Sequence, residues 1–509
     1  MLRIVSGSHV RQACVVAGLG LAFSAMVAQV AQAQSPASFS AQFGQPNLTA
    51  LPGQNLAQQT MSGSINNFCP TVSMTAVTAN QTDLKTICSA MIGNALQLQG
   101  QPIPTGMGSY GLNTSGLMGA LQSLNGGAEL LVPTNQASVT QTTQTSRQNG
   151  AIEQRLKELR DWTTGTVLAD KAPPQAAQVA ALGTMEPGGQ ILFAQNQPPP
   201  LAYSIGSLGV FANGLGQFGS RDMTTSENGY SFNNAGFVFG ADYRITSQLI
   251  AGLAFGYTQS NTNFDTSTLS ASGQSLNGDL LQGNIYATYF PTDALYLNGI
   301  AVIGGGDNLS QRHIVIPSMP DNVPIVPGVT PATAVDRIAS GSFGSRVAGF
   351  TLAGGYALPF GGFVLTPIAR FLYQHTGVDA FTEEGAQGAD LAFGSSSVNT
   401  VLTFLGADAQ YTIPTSFGPL YPIGRFHWAH QYSPGNTAFS VAYSNDTSPG
   451  LLSSFILPGV LTSRNYFDLG VGVSLQLSGT ASGFINYDAI LGINNTTYNS
   501  FTAGVRFTF

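Results

Sequence analysis

The stretch Phe501-Thr502-Ala503-Gly504-Val505-Arg506-Phe507-Thr508-Phe509 decides the fold of this chain. Every odd position from Phe501 to Phe509 is apolar, and every even position is polar or glycine. Such alternation predicts a β-strand, because successive side chains of a strand point to opposite faces of a sheet. An uninterrupted oily face favours a strand whose outer side meets lipid, as in a β-barrel that crosses a membrane.

Four of these residues also form a motif. Thr502, Gly504, Phe507 and Phe509 fill the pattern polar-x-Gly-x-x-aromatic-x-aromatic, which resembles the C-terminal signal that the barrel-assembly machinery of outer membranes recognises. The resemblance implies that the assembly machinery, periplasmic chaperones and the lipid of the outer membrane are partners of the chain.

The composition of the whole chain agrees with a protein that crosses a membrane through strands. Charged residues make up 8% of the chain, whereas they make up about 25% of a typical soluble domain. After the first 33 residues, no apolar run approaches the roughly 20 residues of a membrane-spanning helix. The net charge is −7 and the only lysines are Lys85, Lys157 and Lys171. We therefore expect no nucleic-acid partner, because phosphate binding needs a basic surface.

Twelve strands can be placed after residue 200, where the sequence becomes rich in aromatic residues and glycine. Tight connections alternate with longer ones, which is typical of an up-and-down barrel with short turns at one end and loops at the other. A β-sandwich would break this alternation with its crossovers. Ten or fourteen strands are the alternatives, because the fifth and seventh strands have an ambiguous phase. The predicted strands are 205–216, 231–244, 248–260, 278–290, 294–304, 343–358, 362–375, 396–412, 418–431, 464–477, 481–492 and 499–509.

The first 33 residues have the features of an export signal. They include Arg3 and Arg11, continue through an apolar run, and close on Ala31-Gln32-Ala33, in which Ala31 and Ala33 form a small-x-small cleavage site. The alternative is a single membrane-spanning anchor, but the apolar run is short and no basic flank follows it. We therefore expect cleavage after Ala33.

The chain between the signal and the barrel is rich in Gln, Ala, Thr, Ser and Asn. Apolar residues at helical spacing predict helices near 84–95, 117–124 and 136–162. The run Pro198-Pro199-Pro200 predicts a stiff joint before the barrel. The predicted divisions are a helical passenger at 34–165 that starts with a flexible leader at 34–60, a linker at 166–204, and a barrel at 205–509.

Cys69 and Cys88 are the only two cysteines after the signal. A pair of cysteines in an exported protein predicts one disulfide. The bond would contribute about 3 kcal/mol by closing a loop of about 20 residues. The alternative is two free buried thiols.

Charged side chains of the predicted strands fall on the polar face, because a lipid-facing charge near the midplane of the bilayer costs about 2–4 kcal/mol. We expect them to point into the lumen, where they either pair with each other or solvate a polypeptide segment. These residues are Asp242, Arg370, Arg425, Asp468, Asp488 and Arg506.

The whole layout resembles a type V secretion autotransporter with a short passenger. The resemblance implies a mainly β fold, a 12-stranded up-and-down antiparallel outer-membrane β-barrel that exports and anchors its own passenger at the surface of a Gram-negative cell. In this family the segment before the barrel usually threads the lumen as a helix, and the triple proline departs from that pattern. The residues that carry the resemblance are Gly209-Val210-Phe211-Ala212, Trp428-Ala429-His430, Arg464-Asn465-Tyr466-Phe467-Asp468-Leu469-Gly470-Val471-Gly472, Tyr487-Asp488 and Ala503-Gly504-Val505-Arg506.

Catalysis is not expected. Residues 34–165 contain no histidine, so a Ser-His-Asp triad within the passenger is impossible. Some family members cut themselves at an asparagine pair in the lumenal segment, but residues 166–205 hold no such pair. No His/Cys cluster has metal spacing, so we expect neither a metal nor a cofactor. Two alternatives stay open: a porin-like channel or receptor with a periplasmic N-terminal domain, and an outer-membrane lipase built on His427 or His430.

Overall fold

The computed structural model describes two parts of the chain that are far apart in sequence. The N-terminal part forms three helices, and the C-terminal part forms a closed antiparallel barrel. The described residues are 48–75, 77–125, 208–223, 229–265, 273–318, 329–416, 418–432, 439–448, 450–457, 463–477 and 480–509. The predicted signal with Ala31 and Ala33, the predicted third helix at 136–162 and the predicted linker lie outside them.

Twelve strands pair in sequence order around the barrel, and the last pairs with the first. Closure brings Phe509 beside Leu208, where the Phe509 N–H donates to the Leu208 carbonyl at 2.8 Å. The predicted fold and strand number are therefore confirmed. The barrel strands are β1 (Leu208–Arg221), β2 (Tyr230–Arg244), β3 (Leu249–Phe264), β4 (Ser275–Tyr289), β5 (Leu295–Ile316), β6 (Val335–Tyr356), β7 (Phe363–Val378), β8 (Ser396–Tyr411), β9 (Leu420–Gln431), β10 (Asn465–Gln476), β11 (Ala481–Leu491) and β12 (Thr496–Thr508).

The barrel has two different ends. Leu208 and Phe509 lie at one end with the tight turns, and we call this the terminal end. The long connections lie at the other end, which we call the loop end. Outward side chains such as Phe255, Ile285 and Val471 are half or more exposed, as expected for a face that meets lipid rather than protein.

The loop end is more ordered than the sequence predicts. The predicted strands 294–304 and 343–358 leave residues 305–342 as the loop between them, and this prediction is wrong for 305–316 and 335–342. Strand β5 continues to Ile316 and β6 begins at Val335, and the two remain paired along the whole extension. Pro317 lies just after β5 and Pro331 lies before β6, so neither disrupts the ladder between the two strands. The loops after β7 and β9 add a small sheet of four short strands: Phe381–Thr382, Leu391–Phe393, Phe439–Tyr443 and Phe455–Leu457.

Three helices form the N-terminal part: α1 (Leu56–Thr75), α2 (Ala79–Leu98) and α3 (Thr114–Asn125). We call residues 48–125 the helical module. Helix α2 starts with a capping box, in which the Thr78 side chain accepts from the Gln81 N–H and the Gln81 side chain accepts from the Thr78 N–H. Helix α1 was not predicted, since its first turn lies in the segment expected to be a flexible leader. No helix among the described residues is long and apolar enough to span a bilayer.

The predicted disulfide is confirmed. Cys69 of α1 and Cys88 of α2 are bonded, and both side chains are buried. The bond ties the two longest helices of the module together.

Candidate functional site

The helical module lies on the loop end of the barrel. In the extended hairpin, even-numbered residues of β5 and odd-numbered residues of β6 face inward, continuous with the lumen wall below. Ile314, Ile316, Val335 and Ala339 on this face are buried in the same apolar cluster as the helices. The module therefore packs on the inward side of the hairpin and over the mouth of the lumen.

Arg312 of β5 makes the first polar contact of this interface. Its side chain is fully buried and forms a two-pronged ion pair with Glu383, in which the Nε–H donates to Oε1 at 3.0 Å. The same guanidinium donates to the carbonyls of Ser123 at 3.0 Å and Leu124 at 3.3 Å, at the end of α3. It also donates to the Ala389 carbonyl at 2.9 Å. Arg312 thus joins the hairpin, the loop after β7 and the C-terminus of α3, where a cation is favoured by the helix dipole.

Arg337 of β6 makes the second polar contact. Its guanidinium donates to Asp83 of α2 through both outer nitrogens, with Nη2–Oδ1 at 2.9 Å, and to the carbonyl of Ala386 at 3.1 Å. The hydrogen bond to Asp83 raises the pKa of Arg337 above its usual value, although partial burial lowers the pKa and so opposes this effect. Asp83 also accepts from the Gly388 N–H at 3.0 Å. One carboxylate of the module therefore binds both the hairpin and the neighbouring loop.

The small sheet covers the other side of the module. Phe68 of α1 stacks on Tyr443 with ring centroids 5.9 Å apart. Tyr443 also approaches the Met61 sulfur at 3.4 Å, and burial raises the pKa of its hydroxyl. The Ser64 hydroxyl donates to the Ser453 carbonyl at 2.6 Å. These contacts place α1 against the loop after β9.

Two close backbone approaches complete the interface. Gly108-Ser109 forms a short parallel pairing with Thr330-Pro331 in the loop of the long hairpin. At Gly388, an added Cβ would lie 2.3 Å from the Leu84 nitrogen of α2. Only glycine permits the loop to lie this close to the helix.

The predicted lumenal charges all lie on inward-facing positions of their strands. Arg370 lies 3.8 Å above the ring of Phe404 and 3.9 Å from Asp468. Arg425 pairs with Asp488 at 2.5 Å. This second pair spans strand β10, and Gly470 leaves the space for it, since a Cβ there would lie 2.3 Å from Asp488.

The remaining predicted residues are distributed between the two faces of the barrel wall. Asp242 is buried and accepts from the Tyr286 hydroxyl at 3.2 Å, and Arg506 is buried on the inward face of β12. In the predicted assembly motif, Thr502 and Gly504 face inward. Phe507 and Phe509 face outward and are exposed to the surroundings of the barrel.

Several large inward side chains lie flat over a glycine of the next strand, a feature that the sequence did not indicate. A Cβ at Gly252 would come within 2.5 Å of the Tyr286 ring, and one at Gly240 within 2.6 Å of Phe211. Each glycine provides a gap into which the aromatic ring packs. These contacts make the lumen wall near β1 to β4 dense.

The two histidines considered for a lipase occupy different faces. His427 points inward and its Nε2 lies 2.9 Å from Asp408, while His430 points outward beside Trp428 and contacts Asn465 at 2.8 Å. Among the described residues, no serine hydrogen-bonds to His427 and no group of three metal-ligating side chains occurs. In the described wall, His427 is therefore in contact with a carboxylate.

A family model matches more than half of this chain. The model of the autotransporter β-domain matches residues 210–488. Among solved structures, the translocator domain of autotransporter NalP from Neisseria meningitidis has a TM-score of 0.44 and 15% identity, covering 61% of this chain and 91% of that domain. The β-domain of the Bordetella autotransporter BrkA has a TM-score of 0.39 and 15% identity, covering 60% of this chain and 100% of that domain. The transport unit of the autotransporter AIDA-I from Escherichia coli has a TM-score of 0.38 and 15% identity, covering 68% of this chain and 99% of that unit. No curated protein sequence matches.

Proposed function

This chain belongs to the autotransporter β-domain family, and from this we propose that its outer-membrane barrel exports the passenger, residues 34–165, and holds it at the cell surface. Membership of this family gives the chain an outer-membrane translocator β-barrel. That this barrel exports residues 34–165 is our proposal.

The observation that carries the proposal is the position of the helical module. The barrel strands begin at Leu208 on the terminal end, whereas residues 48–125 contact the loop end. Long loops of outer-membrane barrels lie outside the cell and tight turns lie in the periplasm. A module that precedes β1 in sequence and lies at the outer end is the arrangement that export produces.

We also propose that the passenger is not catalytic. It contains no histidine, and both of its cysteines are used in the disulfide. Its polar side chains, among them Gln54, Asn66 and Asn94, are buried in hydrogen bonds that hold its own backbone. The chemistry of the described module is therefore that of a structural unit.

The partners of the barrel belong to the same proposal. The outward faces of the strands suit outer-membrane lipid, and the motif of Thr502, Gly504, Phe507 and Phe509 suits the barrel-assembly machinery. Periplasmic chaperones would hold the chain before insertion.

An epitope tag near Gln136 tests the proposal in intact cells. Antibody labelling and protease removal of the tag, with a periplasmic marker protein left intact, is the expected result. A tag that is labelled only after permeabilisation would contradict export, and would favour a channel with a periplasmic domain.

A further inference from the structure

We propose that the loop end of the barrel is a binding surface for the helical module, and that it retains the module without a covalent link. Cleavage of the chain between residues 125 and 208 then gives a two-part protein rather than a released passenger. The proposal rests on the proposed function for its location at the cell surface, but the binding itself does not depend on which side of the membrane the loop end faces.

The distribution of charge is the first argument. Residues 48–125 contain only two charged side chains, Asp83 and Lys85. Asp83 is paired with Arg337 of the barrel, and the helix end of α3 is bound by Arg312. Both of these arginines of the barrel part thus have acceptors on the module. Separation would leave the buried Arg312 guanidinium without the Ser123 and Leu124 carbonyls that accept from it.

The shared core is the second argument. Met61, Phe68 and Leu84 are buried, and they belong to one apolar cluster with Ile314, Val335, Phe393 and Phe455 of the barrel part. By contrast, contacts within the module include many amide hydrogen bonds. The Asn94 side chain exchanges two bonds of 2.8 Å with the Leu112 backbone, and Gln58 donates to the Met118 carbonyl at 3.2 Å. The module and the barrel part thus share one apolar core, and separation would expose its barrel-facing side chains to water.

Preorganisation is the third argument. The Cys69–Cys88 disulfide fixes α1 against α2, and these helices carry Phe68 and Asp83 toward the small sheet and the hairpin. Binding by a prearranged surface loses less conformational entropy than binding by a flexible segment. A module with almost no charge and an apolar face also needs that face covered to stay soluble.

The test uses the full-length protein purified in mild detergent, where a cleavage site is reachable from either side of the membrane. A specific protease site is inserted between Asn135 and Gln136, and an affinity tag is inserted after Gln34. After complete cleavage, verified on a denaturing gel, the tagged fragment is captured and washed. We expect the barrel fragment to be captured with it in equal amounts. Capture of the tagged fragment alone would overturn the proposal.

Substitutions assign the retention to the interface. Asp83→Asn keeps the shape of the side chain but removes its charge, and we expect dissociation of the cut module to accelerate at least about tenfold. Arg337→Gln removes the same ion pair from the barrel side. The result therefore does not depend on a single variant that folds poorly for another reason. Lys85→Gln, an exposed position on the same helix, is the matched control and should leave the rate unchanged. Equal rates for all three variants would refute the assignment to this ion pair.

The two proposals fail in different experiments. If the export proposal is wrong, the tag near Gln136 is protected in intact cells, but the two fragments of the cut protein stay together in detergent. If the binding proposal is wrong, the tag is labelled on intact cells, but the cut module separates from the barrel in detergent.

Discussion

Replacement of Arg312 by methionine is expected to be among the most damaging changes to the interface. Methionine has a similar length but no charge, so Glu383, whose side chain is 1% exposed, would lose its charged partner. Removing one member of a buried ion pair costs about 3–5 kcal/mol. The Glu383 carboxylate also accepts from the Leu391 N–H at 3.0 Å. A second change, Glu383→Gln, keeps an acceptor for that N–H and removes the charge, so the double variant should recover most of the loss and retain a deficit of about 1–2 kcal/mol.

Native-state proteolysis of the full chain in detergent and urea measures this loss. The readout is the urea concentration at which residues 48–125 become cleavable while the barrel stays intact. With a urea dependence of about 1 kcal/mol per molar for a small cooperative unit, the midpoint should fall by about 3 M or more. Arg346→Met is the control, because Arg346 pairs with Asp379 at 3.3 Å where the two side chains are 79% and 49% exposed. Such a pair contributes about 0–1 kcal/mol. Similar midpoints for Arg312→Met and the control would refute the reasoning.

Three further predictions concern the module and the barrel wall. Changing both Cys69 and Cys88 to serine should lower the urea midpoint for cleavage of the module by an amount that corresponds to about 3 kcal/mol, as reduction of the wild type should also do. Gly252→Val would force the Tyr286 ring out of its gap, so the folded barrel should lose its heat-resistant gel mobility at a lower temperature than Gly214→Val, a position in β1 with open space around its Cβ and no positive φ. Phe509→Ser should reduce the amount of folded barrel in the outer-membrane fraction if the assembly motif is functional, and unchanged amounts would remove that proposal.

The barrel was predictable because the membrane imposes one rule on every strand. Strand β10 occupies Asn465–Gln476, close to the predicted 464–477, since each residue there faces either lipid or lumen. Beyond the membrane this rule ends. The hairpin extension from Asp307 to Ile316 meets the helical module on its inward face, so its pattern depends on a partner that is distant in sequence.

Helix α1 and the polar contacts were not predictable in the same way. Residues 56–75 are rich in Ser, Asn and Gln, because the helix buries polar side chains such as Ser62 and Ser64 as well as apolar ones. Its hydrophobic periodicity is therefore weak. Arg312 and Arg337 are two of the few charged residues in the segment 305–342, and this is the one feature of the sequence that could have indicated a polar contact there. Their partners are set by tertiary contacts, since Arg337 and Asp83 are separated by 254 positions.

The scarcity of charge in the module connects its proposed export with its proposed retention. A segment that carries only Asp83 and Lys85 would bring few strongly hydrated groups into the lumen, and each charge moved out of water is costly. The same scarcity leaves the module without the surface charge that keeps a separate domain soluble. Low charge during export and low solubility of the separate module are compatible if the module reaches its stable structure only at the loop end, in contact with Arg312 and Arg337. Under the two proposals, docking supplies free energy on the outer side alone, so the interface that would retain the module would also favour the completion of its export.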